Sequence, residues 1–115
     1  MSFLNKQDII LPYGVTATPV AFVDGGYQQL TVTAATIVGL TVPSFAVAAA
    51  VTYEDTALTA DVVARFGYNM YVSSTYGNPV TNLMYFEIYG LTALTLFGIK
   101  AKTGLSGKLN VQYYR

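Results

Sequence analysis

Downstream of residue 24 the chain alternates apolar and polar positions for most of its length. Gln28, Leu30, Val32 and Ala34 fall on one side of an extended chain and Gln29, Thr31 and Thr33 on the other, the period-two pattern of a half-buried strand. Asp24-Gly25-Gly26 ahead of it is a turn signal. Thr36 to Val42 forms a short β-branched segment stopped by Pro43-Ser44, and Phe45 to Tyr53 a longer apolar one stopped by Glu54-Asp55. The alanines at 46 and 48 to 50 would suit a helix, but β-branched and aromatic residues bracket them and no cap or charged face accompanies them, so a strand is predicted. A polar loop over 54–61 follows, then strands at Val62 to Phe66 and Tyr68 to Ser73 punctuated by Gly67. The Ser-Ser-Thr-Tyr-Gly-Asn-Pro run at 73–79 reads as an exposed loop tip. Leu83 to Tyr89, Ala93 to Ala101 and Lys108 to Tyr114 complete the pattern, with turns at Gly90 and over 103–107. No segment shows a helix cap with an amphipathic stripe. About eight short antiparallel strands in this spacing predict an all-β fold, a β-sandwich or jelly roll.

Met1 to Asp24 behaves differently. It holds Pro12, Gly14 and Pro19 among isolated apolar residues with no sustained period, which predicts an extended N-terminal arm (1–24) ahead of a sandwich domain (25–115). An ordered arm has to be tied down, on its own sheet or on a neighbour.

Composition narrows the chemistry. The 115 residues are 53% hydrophobic and 10% charged, enough for one core and unlike a disordered chain. Six basic residues balance six acidic ones, so no excess positive potential draws nucleic acid or an anionic membrane, and neither is an expected partner. With no His and no Cys there is no Ser-His-Asp triad, thiolate nucleophile, thiolate zinc site or disulfide. The longest apolar run, Phe45 to Val51, is far short of the roughly 20 residues of a membrane-spanning helix. Asn5, Lys6, Gln7 and Asp8 interrupt any secretory core after Phe3 and Leu4, so the protein is expected to remain in the compartment where it is made. So little charge beside ten Tyr and six Phe predicts that other subunits cover part of the aromatic surface.

Few constellations could carry chemistry. Glu54, Asp55 and Asp61 share one loop but lack the alternating acids and sharp-turn Gly of a calcium loop, so a solvated loop is expected. Alternation puts Glu87 on the face of Tyr85 and Tyr89, either facing solvent or paired with a cation across a subunit boundary. No glycine run has the strand, loop and helix context of a nucleotide site. Lys100, Lys102 and Lys108 flank one turn and read as a guard against edge-to-edge pairing. Tyr68, Tyr71, Tyr76, Tyr85, Tyr89, Tyr113 and Tyr114 crowd the second half, where wide amphipathic rings suit subunit interfaces. The interface candidates are therefore Phe3, Leu4 and Tyr13 in the arm with Tyr71, Tyr76, Tyr85, Tyr89, Tyr113 and Tyr114. No catalytic, metal or cofactor residue is assigned, and enzyme activity is not expected. A two-carboxylate glycosidase drawing on Glu54, Asp55, Asp61 and Glu87 is the sole inexpensive option.

From about residue 28 onward the layout resembles small β-sandwich structural proteins of tailed bacteriophages. The resemblance rests on Leu30-Thr31-Val32-Thr33, on Ala50-Val51-Thr52-Tyr53, on the acidic turn with Asp55, Thr56 and Thr59, and on Leu109, Val111, Tyr113 and Tyr114 in the last strand. The acidic turn departs from that group's pattern in lacking Gly and in carrying Leu58 before the later threonine. The resemblance implies a virion component: a capsid decoration or cement protein, made in the host cytoplasm, sitting as a homotrimer on the exterior of the major capsid protein lattice. The alternative is a tail or fibre module recognising host glycan or protein through a small cleft at the 73–79 loop with Tyr76 and Asn78.

Overall fold

The computed structural model describes residues 8–55, 61–69, 72–73 and 75–115. In chain order the elements are β1 (Ile9–Ile10), β2 (Thr16–Ala17), a 3-10 turn at Phe22–Asp24, β3 (Tyr27–Thr33), β4 (Val38–Gly39), β5 (Ala48–Asp55), β6 (Val62–Tyr68), β7 (Asn78–Thr81), β8 (Tyr85–Tyr89), α1 (Leu91–Leu96), β9 (Phe97–Ala101) and β10 (Ser106–Tyr114).

Two four-stranded antiparallel sheets, β3-β10-β5-β8 and β4-β9-β6-β7, are joined by a separate β1-β2 hairpin. Of the eight sandwich strands the first pairs with the last, the second with the seventh, the third with the sixth and the fourth with the fifth. That is one long hairpin rolled up on itself, the jelly-roll order. The sequence alternation survives in the packing. Val32, Ala49, Val51, Tyr53, Ile88, Leu109, Val111 and Tyr113 face Val63, Ala64, Val80, Phe97, Ile99 and Ala101 across the core. Phe66 stacks on Phe86 between the sheets at 4.5 Å and 8°.

Several segments depart from the sequence expectation. The Ala93 to Ala101 strand begins only at Phe97, and α1 precedes it. The chain has to cross from the sheet of β8 to that of β9 there, and the helix makes the crossing while burying Leu94. Its N-cap is Gly90 at φ 91°, with no capping side chain, so the usual start signal is missing. β5 runs through Glu54 and Asp55 instead of stopping before them. Glu54 meets Lys108, an opposite charge, in the ladder, and Asp55 donates its N–H to the Asn82 carboxamide oxygen at 2.8 Å. Of Thr36 to Val42, only Val38–Gly39 pairs. β6 runs straight through Gly67 to Tyr68, and the described residues between it and Ser73 form no second strand: Asn69 turns the chain at φ 101°, and Val72 folds back against Gly67. Lys100 and Lys108 lie on β9 and β10, inner strands of different sheets, so they guard no edge.

The described part of the arm docks on its own domain. Residues 18–20 continue the sheet beside β10, where Thr18 and Arg115 exchange backbone hydrogen bonds at 2.8 and 2.9 Å and Val20 N–H donates to the Tyr113 carbonyl. The β1-β2 hairpin lies over the outer face of that sheet, where Leu11 and Ala17 bury Ala48, Ala50 and Tyr114. Gln112, 3% exposed, donates its side-chain amide to the carbonyls of Val20, Gly26 and Tyr113 and so latches the arm. A side chain at Gly26 would stand 1.9 Å from the Val20 carbonyl oxygen, so only glycine lets the arm close here.

Candidate functional site

Three surface regions collect the candidate residues. The first is the arm hairpin. Its inner side is Leu11 and Ala17; its outer side and tip present Ile10 (72% exposed), Tyr13 (66%) and Val15 (54%). The tip is fixed by Leu11 N–H donating to the Val15 carbonyl and by Gly14 at φ 88°. Val23, on the 3-10 turn, is also almost wholly exposed. Tyr13 was expected here. Ile10, Val15 and Val23 were not, because a two-residue strand leaves too short a period to read.

The second region is the outer face of β8, an edge strand. Tyr85 and Tyr89 flank Glu87 as alternation predicts, and both hydroxyls donate to its carboxylate, that of Tyr85 at 2.6 Å. Burial first, and then the hydrogen bond to Glu87, raise the Tyr85 pKa; for Tyr89 the hydrogen bond is the leading cause. The carboxylate is thus met by its own neighbours. Across the same face Asn110 accepts from Tyr27 (2.6 Å) and Gln29 (2.8 Å) and donates to Glu54, while Lys108 donates to Thr31 at 2.9 Å. Beside the self-contained trio on β8, side chains of β3, β10 and β5 are knitted into a polar sheet surface. Glu54 belongs to it, whereas Asp55 next in sequence points away and is buried.

The third region is a cleft of about 410 Å³ between the ends of β6 and β7, lined by Phe66, Tyr68, Asn69, Tyr76, Gly77 and Asn78 beside Gly67. Tyr76 and Asn78 were singled out from sequence; Phe66, Tyr68 and Asn69 were not. Asn directly after a strand-ending Tyr was the available sign, since Asn tolerates positive φ better than most residues. Among the described residues lining the cleft none is a carboxylate.

The remaining tyrosine candidates divide sharply. Tyr113 and Tyr114 are buried within the chain, on opposite faces of β10: Tyr113 in the main core and Tyr114 under the arm. Phe3, Leu4 and Tyr71 lie outside the described residues. No protein-family model matches the chain, and comparison with curated proteins and with solved structures gives no significant match.

Proposed function

We propose that this protein is a structural component of a virion, a capsid decoration or cement protein that binds the major capsid protein lattice from outside and associates with copies of itself, most simply as a trimer. The observation that carries the reading is the arm hairpin, locked to its own sheet on one side while Ile10, Tyr13 and Val15 stand in solvent on the other. An apolar ridge on a rigid mount loses little conformational entropy on docking, as an assembly contact requires. The surrounding composition agrees: so few charges leave apolar contact as the main available source of affinity.

The test is co-sedimentation with capsids of the encoding virus, beside light scattering of the free protein. The variant Ile10→Ser/Tyr13→Ser/Val15→Ser keeps Leu11, Ala17 and Val20 and should stay folded while losing capsid binding. Retention of full binding by that variant, or failure of the native protein to bind capsids, would overturn the proposal. Removing residues 1–24 outright is a poorer test, because it strips cover from Tyr114, Ala48 and Ala50.

A further inference from the structure

β6 and β7 pair as far as Phe66 and Asn78, and there they part. Both lips of the opening are held. On the β7 side Asn78 donates its amide to the Phe66 carbonyl at 3.2 Å, and Arg65 donates to the Gly77 carbonyl at 2.8 Å. On the β6 side Tyr68 continues in register with Phe97, and Asn69 N–H donates to the Leu96 carbonyl at 3.1 Å. The Tyr68 ring rests edge-on against Phe66 and Phe97, 6.1 and 6.2 Å between centroids, so the core sets its position. The described residues of both lips are thus held in place, and the cleft of about 410 Å³ falls within the roughly 300 to 1,000 Å³ usual for small-molecule sites.

Its chemistry is specific. Two phenol rings line it, Tyr68 at 39% exposure and Tyr76 at 69%, together with the carboxamides of Asn69 and Asn78. The backbone adds to these. Val63 O accepts from Lys102 N–H and Asn69 N–H donates to Leu96 O, so odd-numbered residues of β6 address β9. Alternation then turns the N–H and carbonyl of Tyr68 toward β7, one step past the last β6-β7 pair. β7 has no ladder partner for either group. Among the described residues that line the space none is acidic or basic; the Arg65 guanidinium donates one N–H to the Gly77 carbonyl, and its Nε is buried without a hydrogen-bond partner.

From this set we infer that the cleft binds a neutral saccharide. Aromatic faces accept the C–H patches of a pyranose, while the carboxamides and the Tyr68 backbone groups turned toward the opening supply both donors and acceptors to its hydroxyls. An anionic ligand would meet no charged side chain among the described lining residues, Arg65 lying behind Gly77 with one N–H on its carbonyl. A peptide strand would find one open rung where pairing needs a succession of them. The site is separate from the arm hairpin and stands or falls without it.

The test is a titration of the ¹⁵N-labelled full chain with glucose, galactose, mannose, N-acetylglucosamine and their neutral disaccharides including lactose, with sialyllactose as the charged probe. At least one neutral sugar should shift the resonances of Tyr68, Asn69, Tyr76 and Gly77 saturably. Tyr76→Ala removes an exposed ring, and Asn69→Gly removes an amide while suiting the positive φ; each should weaken binding about tenfold with the folded spectrum retained. The inference is overturned if no neutral sugar shifts these residues, if shifts map elsewhere, if sialyllactose binds where lactose does not, or if both variants bind as tightly as the native chain. Cleft shifts produced only by a peptide or protein would likewise reject it.

Discussion

The sheet β3-β10-β5-β8 is built from strands of seven, nine, eight and five residues; its partner β4-β9-β6-β7 has two, five, seven and four. In the first, β10 is paired along nearly its whole length on both sides, and the arm covers part of the outer face, so that Ala48 to Val51 and Val111 to Tyr114 are buried without alternation. In the second, the pairing shifts register between Val62 and Ala64, stops at Phe66 and Asn78, and opens into a cleft. Double coverage around β10 supplies cohesion, and the short pairings of the other sheet leave backbone and side chains free to meet a ligand.

If cohesion centres on β10, truncating its buried aromatic should do the most damage. Tyr113 fills the core and donates its hydroxyl to Gln28 at 2.7 Å, tying β10 to β3. Tyr113→Ala is expected to lose about 3 to 5 kcal/mol in urea unfolding, and the half-exposed Tyr68→Ala in the other sheet well under that. Equal losses would break the contrast. Alkali probes the same centre: burial pushes the Tyr113 phenol up to about 12, and burial followed by the nearby Asp55 does the same for Tyr53. An unfolded tyrosine ionises near pH 10. Below about pH 10 both states keep these protons and stability is flat; between about 10 and 12 the unfolded chain releases protons that the native chain holds, so stability falls as pH rises. Absorbance of the tyrosinates from these two residues should therefore appear only above the pH at which an unfolded tyrosine ionises, together with loss of circular dichroism.

Gly107 gives the next effect. A methyl group there would stand 2.5 Å from the Tyr53 hydroxyl and 2.5 Å from the Glu54 carbonyl. The phenol can tilt but the carbonyl belongs to the adjacent strand, so Gly107→Ala should cost about 1 to 3 kcal/mol by overpacking. A neutral result would mean that β5 and β10 can separate locally, against the tight pairing described.

The same contrast explains what the sequence made legible. Around β10 the signals are local: the Asp24-Gly25-Gly26 turn and the alternation of β3 read correctly, and the apolar run read as a strand, though β5 starts later, at Ala48, and runs on through Asp55. The rest depended on contacts distant in sequence. Ala93 to Leu96 has no helix cap and reads as the start of the strand that follows, yet Leu91 to Leu96 is a helix where the chain changes sheets after Gly90. Nothing local marks Gln112, and only the returning arm makes it a buried latch. Tyr76 and Asn78 stood out by type, but their meeting with Tyr68 and Asn69 follows from where β6 and β7 part, which no local period encodes.

The smallest effect tests whether the open end of the second sheet is held by backbone shape. Asn69 sits at φ 101°, outside the regions an L residue prefers, while its N–H still bonds Leu96. Asn69→Gly relieves that conformation but gives the unfolded chain more freedom, and the two effects oppose, so stability should move by less than about 1 kcal/mol. Asn69→Val has no such relief and adds a branched Cβ at positive φ, for an expected loss of about 1 to 2 kcal/mol. If valine is tolerated as well as glycine, the lip rearranges freely and the cleft is not preformed. If valine alone is costly, the turn is a fixed part of the roll, and the second sheet is open by construction rather than loose.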